Sequence, residues 1–228
     1  MSNINTYFVQ SELAQAAYGT FFGQTIAINE LTDSGANMSA SQAIAFVAKW
    51  QVSAQHNDPF TGLSATVFEE KDTGFKHLAI RGFEPSANDI VSATLLATGW
   101  PSNFNPQFLE LKSHIQNVWM DDLDVLKDQD FIVTGHSLGG YLGEAVKSTF
   151  PQATQAYLYN APGVGTILGN VADALASVLG LSSVSTNNVW NIRSSEGISF
   201  IAGLGYQLGT AVNIQTEPVV TDQWRLVA

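Results

Sequence analysis

Hydrophobic periodicity divides the chain into helical and strand-forming segments. Residues Thr6–Phe22 have apolar positions at helical spacing and predict a helix. Ser39 and Gln42 form a capping box, which predicts the start of a second helix that extends to about Gln55. The intervening residues 23–37 lack this periodicity and predict a loop. Neither helix carries a chemical signature, so we expect both to be scaffold.

Short apolar runs alternate with helical patterns over the rest of the chain. Two alternating runs joined by Lys-Asp-Thr-Gly predict a β-hairpin, and apolar residues at helical spacing predict a helix over 108–118. Residues Val164–Leu181 are apolar and predict either a lid or a packed crossover helix, and their spacing favours the crossover. The predicted strands are Ala65–Glu70, Lys76–Arg81, Phe131–Thr134, Gln155–Asn160, Asn188–Arg193 and Ala211–Gln215.

The most informative segment is the Gly-His-Ser-Leu-Gly motif centred on Ser137. It follows the predicted strand 131–134 and precedes a predicted helix over 141–150. A strand, a sharp turn and a helix around G-x-S-x-G form the context of a nucleophile elbow. In such a turn the residues two before and two after the serine nearly touch, which accounts for Gly135 and Gly139. The motif therefore predicts that Ser137 presents its hydroxyl as a nucleophile, close to the positive end of the helix.

With Thr134 before it and Gly140 after it, this motif resembles the nucleophile segment of lipases of the α/β-hydrolase superfamily. The resemblance is to the lipase-class-3 group and to bacterial lipases exported by type I secretion. It implies an α/β-hydrolase fold with a mainly parallel central sheet flanked by helices. It also implies a lipase or esterase that hydrolyses carboxylic esters through a serine nucleophile and an acyl-enzyme. Recognisable motifs extend from about Leu78 to Glu196.

The end of the second hairpin strand, Arg81-Gly82-Phe83, resembles the segment that supplies one oxyanion-hole amide in these lipases. The resemblance places the backbone N–H groups of Phe83 and Leu138 around the negative oxygen of the tetrahedral intermediate. The family usually has Thr or Ser at the position of Phe83, so here only the main-chain role carries over. An ordinary strand end is the alternative interpretation.

The catalytic acid is predicted from its order in the chain. In this superfamily the triad residues follow one another as serine, acid and histidine. Glu196 follows the predicted strand Asn188–Arg193 and occupies the place of the acid, where related lipases usually have Asp. An ordinary loop carboxylate is the alternative, and Asp173 and Asp222 are weaker candidates. Ser137 and Glu196 are therefore the predicted catalytic residues.

No histidine follows the serine. We expect one histidine in a loop, one in a strand, one on a helix and one within the elbow, and none matches the family's base position. Three explanations stay open. The sequence is incomplete at its C-terminal end and the base lies beyond Ala228, which we favour; the protein has lost activity; or an existing histidine has been recruited. Without a base a serine hydroxyl is a poor nucleophile, so we expect this chain to be inactive or weak. The four histidines are His56, His77, His114 and His136.

Charge and composition exclude several classes of function. The chain has 9 Lys and Arg against 20 Asp and Glu, and this net charge of -11 disfavours nucleic acid and anionic membranes as partners. It has no cysteine, which excludes disulfides and cysteine-based metal sites. The N-terminus lacks the pattern of a secretory signal, and no apolar run is long enough to span a membrane. These features predict a cytoplasmic protein or one exported by a signal-peptide-independent route.

Residues 1–228 are accordingly predicted to form a single α/β-hydrolase domain that is incomplete at its C-terminal end. The expected partner is an ester or lipid small molecule, with contact to a lipid interface. The chemistry requires no cofactor. The resemblance allows calcium, because related secreted lipases bind it, but no Asp-rich loop specifies a site. The alternative function is a catalytically inactive hydrolase-like module that binds an apolar ligand.

Overall fold

The computed structural model describes residues 4–82, 106–161, 187–194 and 209–214. The predicted lid or crossover segment over 164–181 lies outside these residues. The helices are α1 (Ile4–Ala16), α2 (Ile28–Thr32), α3 (Ala40–Lys49), α4 (Pro106–His114) and α5 (Leu138–Thr149), with a π-helix at Ile115–Asp122 directly after α4. The strands are β1 (Trp50–Asn57), β2 (Ser64–Glu70), β3 (Lys76–Ile80), β4 (Phe131–His136), β5 (Ala153–Tyr159), β6 (Val189–Ser194) and β7 (Thr210–Ile214).

The seven strands form one sheet in the same order as in the chain. The pairs β1–β2 and β2–β3 are antiparallel, whereas the four pairs from β3 to β7 are parallel. This confirms the predicted hairpin and the predicted mainly parallel sheet. Because β1 and β3 run in the same direction, the turn after β1 lies at the same edge as the carboxyl ends of the parallel strands. We call this edge of the sheet the carboxyl edge.

Helices cover both faces of the sheet. On one face, α4, the π-helix and α5 pack against a core that includes Leu78, Val133 and Leu158. On the other face, α1 and α3 pack against a second core that includes Phe68 and Ala79. Strand β3 is covered on both sides, which suits the apolar run Leu78–Ile80. Among the described residues no helix has the length and apolar character needed to cross a membrane.

The second predicted helix ends earlier than expected. Its capping box is present: Ser39 Oγ accepts a hydrogen bond from the Gln42 amide, and Gln42 Oε1 accepts one from the Ser39 amide. The helix nevertheless ends at Lys49, so the predicted extension to Gln55 is wrong. From position 50 onward apolar and polar residues alternate, which suits a strand that is buried on one face. The difference places His56 in β1 and not in a loop.

The other predicted boundaries shift by smaller amounts. Helix α1 stops at Ala16 and does not reach Phe22, and the predicted loop over 23–37 contains the short helix α2. The helix predicted over 108–118 is present as α4 followed by the π-helix. The predicted strands lie within two residues of the observed ones.

The start of α5 contacts the end of β3 through backbone alone. A Cβ atom added at Gly139 would lie 2.1 Å from the carbonyl oxygen of Ile80 and 2.8 Å from the carbonyl carbon of Arg81. Both atoms belong to the main chain, which cannot move aside as a flexible side chain can. Glycine at 139 is therefore a requirement of the fold.

We expect Gly139→Val to lower the free energy of unfolding by about 2–4 kcal/mol, because the side chain would overpack a main-chain contact. The control is Gly23→Val, since a Cβ there meets no atom within 4 Å, and its effect should stay within about 0.5 kcal/mol. Urea denaturation measures both variants. Equal stability of the two variants would contradict the close contact between α5 and β3.

Candidate active site

Ser137 alone forms the turn between β4 and α5. Strand β4 ends at His136 and α5 begins at Leu138. Ser137 has φ 56° and ψ −125°, a backbone conformation that a residue with a side chain rarely adopts. Such strain persists only where the surrounding structure enforces it, and it is concentrated at functional sites. The predicted context of strand, sharp turn and helix is present, and the serine is partly exposed.

Close backbone contacts hold this turn in place. A Cβ at Gly135 would lie 2.3 Å from the carbonyl oxygen of Gly139, as the elbow geometry requires. The Ser137 amide donates a hydrogen bond of 2.9 Å to the carbonyl oxygen of Tyr159 on the neighbouring strand β5. The serine is therefore fixed both to its own helix and to the sheet.

One half of the predicted oxyanion hole lies within the described residues. Leu138 is the first residue of α5, and amides in the first turn of a helix have no acceptor within the helix. Gly82, at the end of β3, would place a Cβ 3.1 Å from the Cβ of Ser137. The Arg-Gly strand end therefore lies beside the serine, as predicted. Phe83 itself is outside the described residues, and its amide stays a prediction.

The predicted acid also lies outside the described residues, and so do the weaker candidates Asp173 and Asp222. Strand β6 ends at Ser194, two residues before Glu196, and its carboxyl end lies at the same edge as that of β4. The Ser194 amide donates a hydrogen bond of 3.3 Å to Asn160 Oδ1 at the end of β5. The role of Glu196 stays a prediction.

His77 lies in β3, far down the sheet from the elbow. It pairs in register with Ile132, five residues before Ser137, which corresponds to about 16 Å along the strand. Its Nδ1 lies 3.1 Å from Gln10 Nε2, and burial lowers its pKa to about 4. His77 is a neutral part of the core.

His56, in β1, and His114, at the end of α4, lie together. Strand β1 is three strands away from β4, or about 14 Å. The two imidazole rings stack with their centroids 3.8 Å apart. His56 Nε2 lies 3.1 Å from Glu110 Oε1. Burial and the neighbouring His56 lower the pKa of His114 to about 4. Within the described part of the chain, the hydrogen-bond partner of His56 is Glu110 and not Ser137.

His136 is adjacent to the serine in the chain but has a different partner. Its Nδ1 lies 3.0 Å from the hydroxyl of Tyr18, and burial lowers its pKa to about 4. This contact ties the elbow to the segment after α1. The sequence contains no local signal for it, because the two residues are 118 positions apart.

Glu144 is a buried carboxyl group on the elbow helix that was not predicted. Its side chain is 3% exposed, and within the described part of the chain its Oε1 has no hydrogen-bond partner. Burial raises its pKa to about 8. The available signal was a single acidic residue within the apolar stretch Leu138–Val146, between Gly143 and Ala145.

Solved structures with a similar fold include several fungal lipases. MDLA of Penicillium cyclopium, in a mutant form, is 16% identical over 97% of this chain and 84% of its own, with a TM-score of 0.58. The Lip2 lipase of Yarrowia lipolytica is 17% identical over 94% and 80%, with a TM-score of 0.55. The lipase of Rhizopus microsporus var. chinensis is 15% identical over 87% and 69%, with a TM-score of 0.52.

These similarities confirm the α/β-hydrolase fold and the predicted likeness to lipases at the level of structure. The sequence matches no protein-family profile and no curated protein. The comparisons give no support to the alternative of an inactive ligand-binding module.

We expect Glu144→Gln to stabilise the protein more at pH 8 than at pH 5. The carboxyl of Glu144 stays protonated in the folded state up to about pH 8, but in the unfolded state it ionises near pH 4.5. At low pH the carboxyl is protonated in both states, so its titration does not change the free energy of unfolding. As the pH rises from 4.5 to 8, the unfolded state gains the ionised form first, and the free energy of unfolding of the wild type falls increasingly. One pKa unit corresponds to about 1.4 kcal/mol, so the stability difference between variant and wild type should grow by about 3 kcal/mol between pH 5 and pH 8.

Urea denaturation at the two pH values measures this difference. The buried histidines are common to both proteins, so their titration cancels in the comparison. Ser41→Ala, at an exposed position on α3, serves as a control without a titratable group, so its difference from wild type should not change with pH. A constant difference for Glu144→Gln would show that the carboxyl is solvated or ionised in the folded state.

Proposed function

We propose that this chain is the catalytic part of a carboxylic ester hydrolase of the lipase or esterase type, with Ser137 as its nucleophile. The observation that carries the proposal is the backbone of Ser137, which is held in a strained turn at the start of α5. Strain of this kind places the hydroxyl in front of the first helix amides, where negative charge is stabilised. The similar structures of fungal lipases support this class of reaction.

In the proposed reaction, the Ser137 hydroxyl oxygen attacks the ester carbonyl carbon while its proton passes to a base. The carbonyl oxygen becomes negative, and the Leu138 amide, together with that of Phe83, donates hydrogen bonds to it. Collapse of this intermediate releases the alcohol and leaves an acyl-serine, which water then hydrolyses. No cofactor is needed for these steps.

The base in this proposal is a histidine that follows Ala228, and Glu196 orients it. The positions of the four histidines support this part of the proposal. His77 is a buried core residue about 16 Å down the sheet. His56 lies in β1, about 14 Å from β4 in strand spacings, and its imidazole contacts His114 and Glu110. His136 contacts Tyr18. In the described part of the chain, each histidine therefore has partners other than Ser137.

An exposed aromatic residue near the site supports an apolar substrate. Phe60 is 97% exposed in the turn between β1 and β2, which lies at the carboxyl edge, about 10 Å from β4 in strand spacings. Arg81 links this turn to the end of β3, because its Nη2 donates a hydrogen bond of 3.2 Å to the Gly62 carbonyl. A large apolar side chain held at the rim of a site is suited to contact with an acyl chain or a lipid surface.

The test is the rate at which the purified chain hydrolyses a short p-nitrophenyl ester. We expect weak hydrolysis that falls further in Ser137→Ala and is unchanged in Ser41→Ala, an exposed serine on α3. A longer chain that contains a histidine after Ala228 should be faster by about 10³-fold or more, the scale on which triad residues act.

The single variants His56→Ala, His77→Ala and His114→Ala distinguish the proposed base from the alternative, in which one of these histidines has been recruited as the base. Each should retain the weak activity of the wild type, provided that circular dichroism shows a folded protein. Rapid turnover that is lost in one of them would identify a recruited base and refute the proposed one. Hydrolysis that is insensitive to Ser137→Ala would refute the proposed nucleophile.

A further inference from the structure

Three side chains with metal-binding atoms converge between β1 and α4. His56, Glu110 and His114 each contribute one donor atom, and these three atoms lie within 4.8 Å of one another. The elbow chemistry uses none of them. Glu110 and His114 are four residues apart on α4, so they project from the same face of that helix. His56 comes from the strand opposite that face.

We propose that His56, Glu110 and His114 form a binding site for a divalent transition-metal ion of the zinc type. Two imidazole nitrogens and one carboxylate oxygen are a ligand set that suits zinc, with water in the fourth position. Calcium and magnesium prefer ligand sets made of oxygen atoms alone, so this site should reject them.

The distances fit a tetrahedral ion. Zinc bonds of about 2.0–2.2 Å place neighbouring donor atoms about 3.4 Å apart. His56 Nε2 and Glu110 Oε1 are already 3.1 Å apart. The third donor, on His114, is within 4.8 Å of both, so it must approach by up to about 1.4 Å. Because the two rings stack at an interplanar angle of 18°, one of them must also turn until its nitrogen points to the ion.

Neighbouring groups fix the two imidazoles but leave the site accessible. The His114 ring packs edge-on against Trp119, with centroids 4.8 Å apart, and stacks on the His56 ring. The His56 side chain is 19% exposed and that of Glu110 is 41% exposed, so an ion can enter from solvent. Asp58, which interacts electrostatically with His56, adds negative charge nearby. An ion bound here would join the strand β1 to α4.

The experiment is a titration of tag-free, chelator-treated protein with Zn²⁺. Isothermal titration calorimetry measures binding, and thermal denaturation measures stability. We expect one equivalent to bind with a dissociation constant in the micromolar range or tighter and to raise the thermal midpoint. Co²⁺ should produce the visible absorption of a tetrahedral site. Ca²⁺ and Mg²⁺ at the same concentration should leave the midpoint unchanged.

Variants test whether these three residues hold the ion. Glu110→Gln preserves the shape of a partly exposed side chain and should weaken Zn²⁺ binding at least about tenfold. His56→Gln should do the same and abolish the Co²⁺ absorption, whereas Asp72→Asn should bind as the wild type does. Absence of saturable binding at millimolar Zn²⁺ in the wild type, or undiminished binding in both ligand variants, would overturn the proposal.

Discussion

The crossing of two main chains at Gly139 determines the geometry of the site. The start of α5 lies so close to the carbonyl of Ile80 that no side chain fits between them. This contact brings the end of β3 beside the elbow, with Gly82 next to Ser137. Both proposed oxyanion amides depend on it, because one comes from α5 and the other follows β3. Packing of this kind offsets the strain in the Ser137 backbone, because the contacts with the sheet and the helix permit no other backbone conformation of the turn.

The elbow could be predicted from sequence because its causes are local. The steric requirements of the elbow lie within about a dozen residues. They are visible as glycines at fixed positions around Ser137, an apolar strand before it and a helix after it. The boundary between α3 and β1 was mispredicted because a capping box fixes where a helix starts and not where it ends. From position 50 onward the alternation of apolar and polar residues favours a strand, and this strand pairs with β2. Tertiary contacts such as Tyr18 with His136, and the cluster around His56, join segments too distant for any local signal.

The electrostatics of the elbow helix favour a developing anion. Helix α5 begins directly after Ser137, so the positive end of the helix dipole lies beside that residue. Glu144, one to two turns further along, is protonated at neutral pH because burial raises its pKa to about 8. It therefore adds no negative charge behind the nucleophile. His136 is neutral for the same reason of burial. Neither of these two buried groups therefore adds a charge that would compete with the amides for an oxyanion.

A crystal structure of a longer chain that contains a histidine after Ala228, solved after reaction with an alkyl phosphonate, tests the central claim most directly. The phosphonate forms a covalent bond to the serine and carries an oxygen where the oxyanion would lie. The account predicts phosphorus bonded to Ser137 Oγ and that oxygen about 3 Å from the amide nitrogens of Leu138 and Phe83. An unmodified Ser137, or an oxygen that lies beyond hydrogen-bonding distance of the Leu138 amide, would contradict it.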